Sequence, residues 1–404
     1  MLSLAYQHGE DPECGEQEGS GESFSVRCFH QARALLASDE GRPDAPTMSI
    51  TLVQSYLLLQ ICAMMYLCGD ISAWGLKMHS RMISLTRAGR MTQPLPVESR
   101  ATVDLESLWR KFIKAESQKR TLFAVHQIDA LWYQFRSIPR SISHLEIKHD
   151  LPCPADQWAS PSSAEWAHRQ LLARNSAPSA KYTDAVRRYL SSDPEIASIP
   201  DFDPYGAINI AQFLISCARE ISGWSTMTGI LSMERFGALR SSLVALSPLT
   251  CSETAQTKHA TSFAATWQTA MIELQMWSPS HTGGIVEGSI DAVLSQSTYL
   301  GPSHFMFDAN TAEAIQPHVD WFLRYLDESV IPDSEAPWVV LYAYKAFLIA
   351  WQLINNGLPG AMEAVGVRDG DLDGALMWAR KTFQRRQKWQ LGKLILSCLD
   401  ELAK

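Results

Sequence analysis

Between Asp44 and Asp70 the chain carries no charged residue, and Ile50–Cys68 within that stretch is long enough to cross a bilayer. Such a segment either spans a membrane or is enclosed by a core large enough to hide it on every side. Gln54, Ser55 and Gln60 interrupt its apolar surface, and no basic cluster flanks it to set an orientation. The expectation is therefore a buried helix at the centre of a large soluble fold, with no membrane partner. A chain of 404 residues, 46% hydrophobic and 19% charged, can supply such a core, as one large unit or two fused ones.

The rest of the pattern is helical. A second helix, Ile71–Arg87, places Trp74, Met78, Met82 and Leu85 on one face, and with the uncharged helix it predicts an antiparallel hairpin. Leu105–Phe135 is amphipathic, with Trp109, Phe112, Phe123 and Leu131 inward, and Pro139 closes it. Further helices are expected over 164–174, 180–190, 205–223, 225–247, 259–276, 311–328, 338–355 and 371–402. No fixed repeat length recurs, and nothing reads as alternating strands. The fold class expected is all-α, a large multi-helix bundle of antiparallel helical hairpins. Residues 9–23 hold six acids and no basic or aliphatic side chain, so 1–23 is expected to be a disordered acidic leader and 24–404 the folded domain. The Gly- and Ser-rich region 278–304 reads as a flexible loop.

Charge and cysteines narrow the function. The net charge is −8, which leaves no general excess of Lys and Arg to neutralise phosphates, so DNA is expected to be met only indirectly. The eight cysteines share no two-residue gap, and with no secretory signal at the start they read as reduced intracellular thiols. His144-x-Glu146 with Pro152-Cys153 imitates part of a zinc deaminase signature, but Asp156 stands where the second cysteine should be. Asp369, Asp371, Asp373 and Gly374 begin a calcium loop, but Arg380 occupies the position of its bidentate Glu, so Asp371 or Asp373 is expected to cap the last helix instead. Gly283, Gly284 and Gly288 lack a following Lys-Ser/Thr. No catalytic set, metal site or cofactor site is expected. The run Arg380, Lys381, Arg385, Arg386 and Lys388 has two readings, a nuclear-import or partner patch or a solvated helix face.

The most informative stretch is 109–166. Glu116 and Arg120 lie one turn apart on the stripe of Trp109, Phe112 and Phe123, where opposite charges are costly unless they pair. Asp129 can accept hydrogen bonds from the loop that holds Pro139 and Arg140 or from an arginine in it. Glu116, Arg120, Asp129 and Arg140 are therefore expected to form a structural polar network.

This arrangement resembles the fungal-specific transcription factor domain, the middle homology region. The residues that carry the resemblance are Val53-Gln54 to Leu59, Ala73-Trp74, Glu116, Lys119-Arg120, Phe123, Asp129, Pro139, Ile142 and Leu151-Pro152. The continuation from Leu151 to Trp158, ending at Glu165-Trp166, is similar to the branch that carries zinc fingers, as is Ser-Ile-Pro139 where other members have Gly-Arg-Pro. The best-matched core is 24–175, and 176–404 agrees only in being helical. The resemblance implies a nuclear, non-enzymatic regulator of a fungal metabolic or secondary-metabolite gene set. Its implied partners are other transcription regulators or a small-molecule effector, and a homodimer is compatible with it. Family members place a zinc-binding DNA reader upstream, whereas only an acid-rich stretch precedes the domain here. The alternative is a helical scaffold that keeps the fold and binds a partner without DNA.

Overall fold

The computed structural model describes residues 1–8, 20–40, 50–95, 104–136, 138–173, 180–190, 203–224, 233–247, 258–275, 294, 309–328, 335–387 and 389–403. Among the described residues the protein is all-α: fifteen helices and no strand, with a lone bridge between Asp150 and Lys181. In chain order they are α1 (Leu2–His8), α2 (Ser20–Glu40), α3 (Ile50–Ile61), α4 (Ser72–Ala88), α5 (Leu105–Arg136), α6 (Ala155–Trp158), α7 (Ser163–Ala173) and α8 (Tyr182–Leu190). Then come α9 (Pro204–Trp224), α10 (Met233–Leu246), α11 (Lys258–Gln275), α12 (Ala309–Glu328), α13 (Pro337–Asn355), α14 (Leu372–Gln384) and α15 (Gln390–Leu402).

The uncharged segment is core. Helix α3 pairs with α4 as an antiparallel hairpin, with Gln60 against His79 and Met82, and Met64 against Gly75 further along. A side chain at Gly75 would collide with Met64, so glycine there sets how closely the helices approach. The segment is not one straight helix. After Ile61 the backbone widens into a π turn, Cys62–Leu67, and stops at Cys68 with φ of 53°. Cys62 to Tyr66 are all buried, because α1, α2, α4, α13 and α15 close round the turn. Ile50–Leu67 and Pro337–Asn355 both have the length and hydropathy of a membrane span, yet 56% and 83% of them are buried inside the protein.

Two expectations need correction, at Trp74 and over 371–402. At the N-terminus, α1 docks on α2 through Ser3 Oγ, which donates to the Ser25 carbonyl at 2.7 Å, and Gln7, which donates to Ser25 Oγ at 3.0 Å. The acidic stretch 9–19 lies outside the described residues, as does 278–304 apart from Leu294. Trp74 is on the surface rather than the inner face of α4, 38% exposed, with Arg33 at 3.8 Å and Lys77 at 4.8 Å from its ring centre. The helix expected over 371–402 is two helices, with a corner between Gln384 and Gln390. Gly392 allows that corner, since a Cβ there would strike the Arg386 carbonyl.

The C-terminal third fills the same core as the N-terminal part. Nearly every residue of α13 is buried. Its Tyr342 hydroxyl donates to Gln134 on α5 at 3.1 Å and accepts from Gln212 on α9 at 3.0 Å, and Gln134 in turn donates to Gln212. Lys345 on α13 forms a buried ion pair with Glu273 on α11. Removing α13 would take the Tyr342 hydroxyl from Gln134 and Gln212 and Lys345 from Glu273, and open the apolar faces of α5, α9 and α11. A chain ended after Ser247 should therefore show no cooperative thermal transition by circular dichroism. A sharp melt near that of the full protein would show that the first 247 residues fold alone.

Candidate functional site

Helix α5 carries two buried polar centres. None of the side chains from Leu105 to Ala115 is fully buried; from Glu116 onward most are. At the first centre, Glu116 pairs with Lys119 at 2.9 Å and Arg120 at 3.1 Å, and accepts from the Cys153 amide at 3.0 Å. Arg120 donates to the Cys153 carbonyl at 2.6 Å, and its guanidinium lies 5.2 Å from the Trp158 ring centre and 5.1 Å from that of Tyr205. This clamps the Leu151–Pro154 loop onto the helix. Burial pushes the Glu116 carboxyl up, but Lys119, the Cys153 amide and Arg120 outweigh it and hold it below the usual carboxylate range. The Cys153 thiol is pushed up to about 12 by burial and by Glu116, so it stays protonated and is no nucleophile.

The second centre is Asp129. Its carboxylate accepts from the Ser141 amide at 2.9 Å, from the Ile142 amide at 2.9 Å, and faces His79 Nε2 at 2.9 Å. The other ring nitrogen, Nδ1, faces Gln60 Oε1 at 3.2 Å, and that oxygen also accepts from the Trp132 indole at 2.9 Å. Because an indole can only donate, Trp132 fixes which way the Gln60 amide points. Both nitrogens of His79 thus face oxygens, which ties α4 to α3 and to α5 at once. Burial raises the Asp129 carboxyl, and His79 with the loop amides outweighs it, leaving it below the usual range.

The four residues expected as one network form two centres. Glu116 and Asp129 are thirteen residues apart on one helix, about 20 Å, and Arg140 places its guanidinium 5.7 Å from the Phe213 ring centre. Sequence reasoning missed His79, Gln60, Tyr205 and Trp158 as members. The polar interruption at Gln60 and the His79 position between Met78 and Met82 were the signals available for the hairpin. A third buried group, His126, donates through Nδ1 to Asn209 at 3.2 Å and accepts through Nε2 from Tyr182 at 3.3 Å. Burial lowers it to about 4, leaving it neutral.

The basic run does not form one patch. Arg386 is fully buried in a bidentate pair with Glu335, at 2.8 and 3.0 Å, which removes it from any surface. Arg385 donates to the Asp327 carbonyl at the end of α12, Arg380 pairs with Asp400 at 2.8 Å, and Lys381 is exposed. Lys388 lies outside the described residues. The run crosses the corner between α14 and α15, so its members point in different directions. Asp371 is the cap of α14, accepting from the Gly374 amide at 2.8 Å, and Asp369 accepts from Gly360. Glu146 pairs with Arg87, and His149 bonds the Met91 carbonyl. Among the described residues no three His, Cys, Asp or Glu side chains gather to hold a metal.

These centres bond the helices and loops of the protein to one another. The sequence model of the fungal specific transcription factor domain matches residues 1–247, more than half the chain. The chain belongs to this family. The match runs past 24–175 in both directions and takes in α1 to α10, with both centres of α5. No curated protein and no solved structure matches the chain. The family is one of transcription factors and not of enzymes.

Within this fungal transcription factor domain the centres should be read out as stability. Replacing Arg120 with Ala leaves Glu116 buried but still beside Lys119. The loss should be about 2–4 kcal/mol, under the 3–5 typical of a wholly orphaned charge, and should appear as a lower urea midpoint. An unchanged midpoint with lost regulation would make Arg120 a ligand contact.

Acid should act in two steps. His126 has a folded value of about 4 against an ordinary 6.5, so the unfolded state binds the extra proton first and stability falls as pH drops from about 6.5 towards 4. Asp129 is depressed, so its contribution is present above about 3.9 and is lost only as pH falls below that. His126→Gln can keep both hydrogen bonds without titrating, and melting curves across pH 4–7 should be flatter for it than for the wild type.

Proposed function

We propose that this protein is a transcription regulator of the nucleus that acts through its interaction domain, with base reading supplied by another module or a partner. The observation that carries this reading is the family match over residues 1–247. The charge of −8 supports indirect contact with DNA, because direct binding draws its affinity from clustered cations meeting phosphates. The buried centres support a structural rather than catalytic use of the titratable groups: Glu116 and Asp129 are fully engaged by donors, Cys153 is held protonated, and His126 is neutral.

On this reading the folded body, residues 24–404 together with α1 and the start of α2, is the regulatory module of a fungal metabolic or secondary-metabolite gene set. It answers to other regulators or to a small-molecule effector. Chemistry at a substrate plays no part in it.

A fluorescently tagged chain should accumulate in nuclei, and deletion of its gene should change transcript levels of a defined gene set. The purified chain should bind duplex DNA with a dissociation constant no tighter than about 1 µM and without sequence preference. Cytosolic signal with unchanged transcripts would favour a helical scaffold. A footprint at nanomolar protein that survives moderate salt would reveal a DNA-binding surface of its own.

A further inference from the structure

The outer face of α4 departs from the charge of the chain that carries it. Trp74, Lys77, Arg81, Ser84 and Ala88 follow at spacings of three, four, three and four, which is one line down the helix, and all five are exposed. No acid occurs between Asp70 and Glu98, nor between Glu22 and Asp39 on α2, although the whole chain has a net charge of −8. Helix α2 meets this line at Arg33, whose guanidinium lies 3.8 Å from the Trp74 ring centre, with Lys77 at 4.8 Å from the same ring. Among the described residues no carboxylate pairs with Arg27, Arg33 or Lys77, whereas Arg87 further along α4 is held by Glu146. The cations around Trp74 are thus gathered without acids to balance them.

Shape selects a helix as the occupant, and charge selects an acidic one. Ala73, Ser80, Ser84 and Ala88 on α4 are small and exposed, as are Ala34, Ala37 and Ser38 on α2, so another backbone can come close between the longer side chains. A line at spacings of three and four is also the seam along which helices pack. From Trp74 to Ala88 it runs about 21 Å, and Asp70, one turn before Trp74, bounds it at the start. Carboxylates at the same spacing on a partner helix meet Lys77 and Arg81, while an apolar side chain rests on Trp74. A second copy of this chain would set cation against cation. Duplex DNA is disfavoured, because phosphate binding draws on many cations at once and the rest of the chain is acidic.

We propose that the outer face of α4, with Arg33 of α2 beside it, docks an acidic amphipathic helix of a partner protein. This gives a chemistry to the partner regulators of the transcriptional reading and rests on that reading for their role in the cell. A single helix on one face buries less than a standard-sized interface, so the contact is weak and reversible.

The test uses the full chain and a fluorescein-labelled helical peptide that carries glutamates and leucines on one face at spacings of three and four. Anisotropy should give a dissociation constant of about 10–100 µM, the range of a small interface, and added salt should weaken it. Lys77→Glu and Trp74→Ala should each weaken binding about tenfold or more. Lys381→Glu, at an exposed cation on α14, should leave it unchanged. Both Lys77 and Trp74 are exposed, so the melting temperature should hold. Lys77→Glu should also bind the same peptide with lysines in place of its glutamates better than the wild type does, a gain that misfolding cannot produce. No binding below about 1 mM, or equal losses from Lys77→Glu and Lys381→Glu, would overturn the proposal. So would displacement of the peptide by a short DNA duplex at micromolar concentration, which would make phosphate the occupant. Nuclear accumulation of the tagged chain is a separate readout, so the transcriptional reading can stand where this contact fails.

Discussion

The Asp129 carboxylate is where the N-terminal half of this fold is tied together. Its bonds reach the loop after its own helix through two amides, and reach α4 and then α3 through His79 and Gln60. A mid-helix acid facing the core is costly to desolvate, and an apolar residue of similar size would avoid that cost. An apolar residue could not, however, specify where the loop turns back, because nothing non-directional distinguishes one position of an amide pair from the next. The same holds at Glu116, which grips the Cys153 amide while Arg120 takes the Cys153 carbonyl. Each carboxylate fixes one loop, and the loops in turn position α6 and the approach to α8.

The two buried histidines beside this helix differ in their partners. His79 has an acceptor at each nitrogen, whereas His126 has an acceptor at one and a hydroxyl that can donate at the other. Burial drives His126 to the neutral form; the Asn209 hydrogen bond and the nearby Asp129 oppose it, while Arg140 and His144 add to it. A neutral imidazole with one donor and one acceptor nitrogen is what the Asn209 and Tyr182 contacts require.

Much of this was readable in advance because it is local. The Glu116–Arg120 pair is a one-turn spacing on an apolar stripe, and Asp129 before a proline loop invites amide donors; both follow from helical geometry. Helix limits were legible wherever Pro139, Gly357 or Asp371 marks an end. What could not be read depends on partners far away in sequence. Nothing near Arg386 announces Glu335, fifty-one residues earlier, so a buried arginine passed for surface. The corner at Arg385–Trp389 contains neither Gly nor Pro, and the glycine that permits it, Gly392, lies inside the next helix. Trp74 had the right spacing for the core, but two cations offered it a place outside.

The family likeness ends at residue 247, while the physical unit does not. Tyr342, Gln134 and Gln212 close a ring of hydrogen bonds in which every oxygen and nitrogen offered is taken, and two of the three residues lie inside the matched region. Lys345 on α13 and Glu273 on α11 form their pair wholly beyond it, yet α11 packs most extensively against α9 within it. A hydrogen-bonded ring of this kind tolerates little exchange, because a single apolar replacement strands the others. The matched region therefore stops inside one packed unit, and α13 closes the same core as the helices within the match.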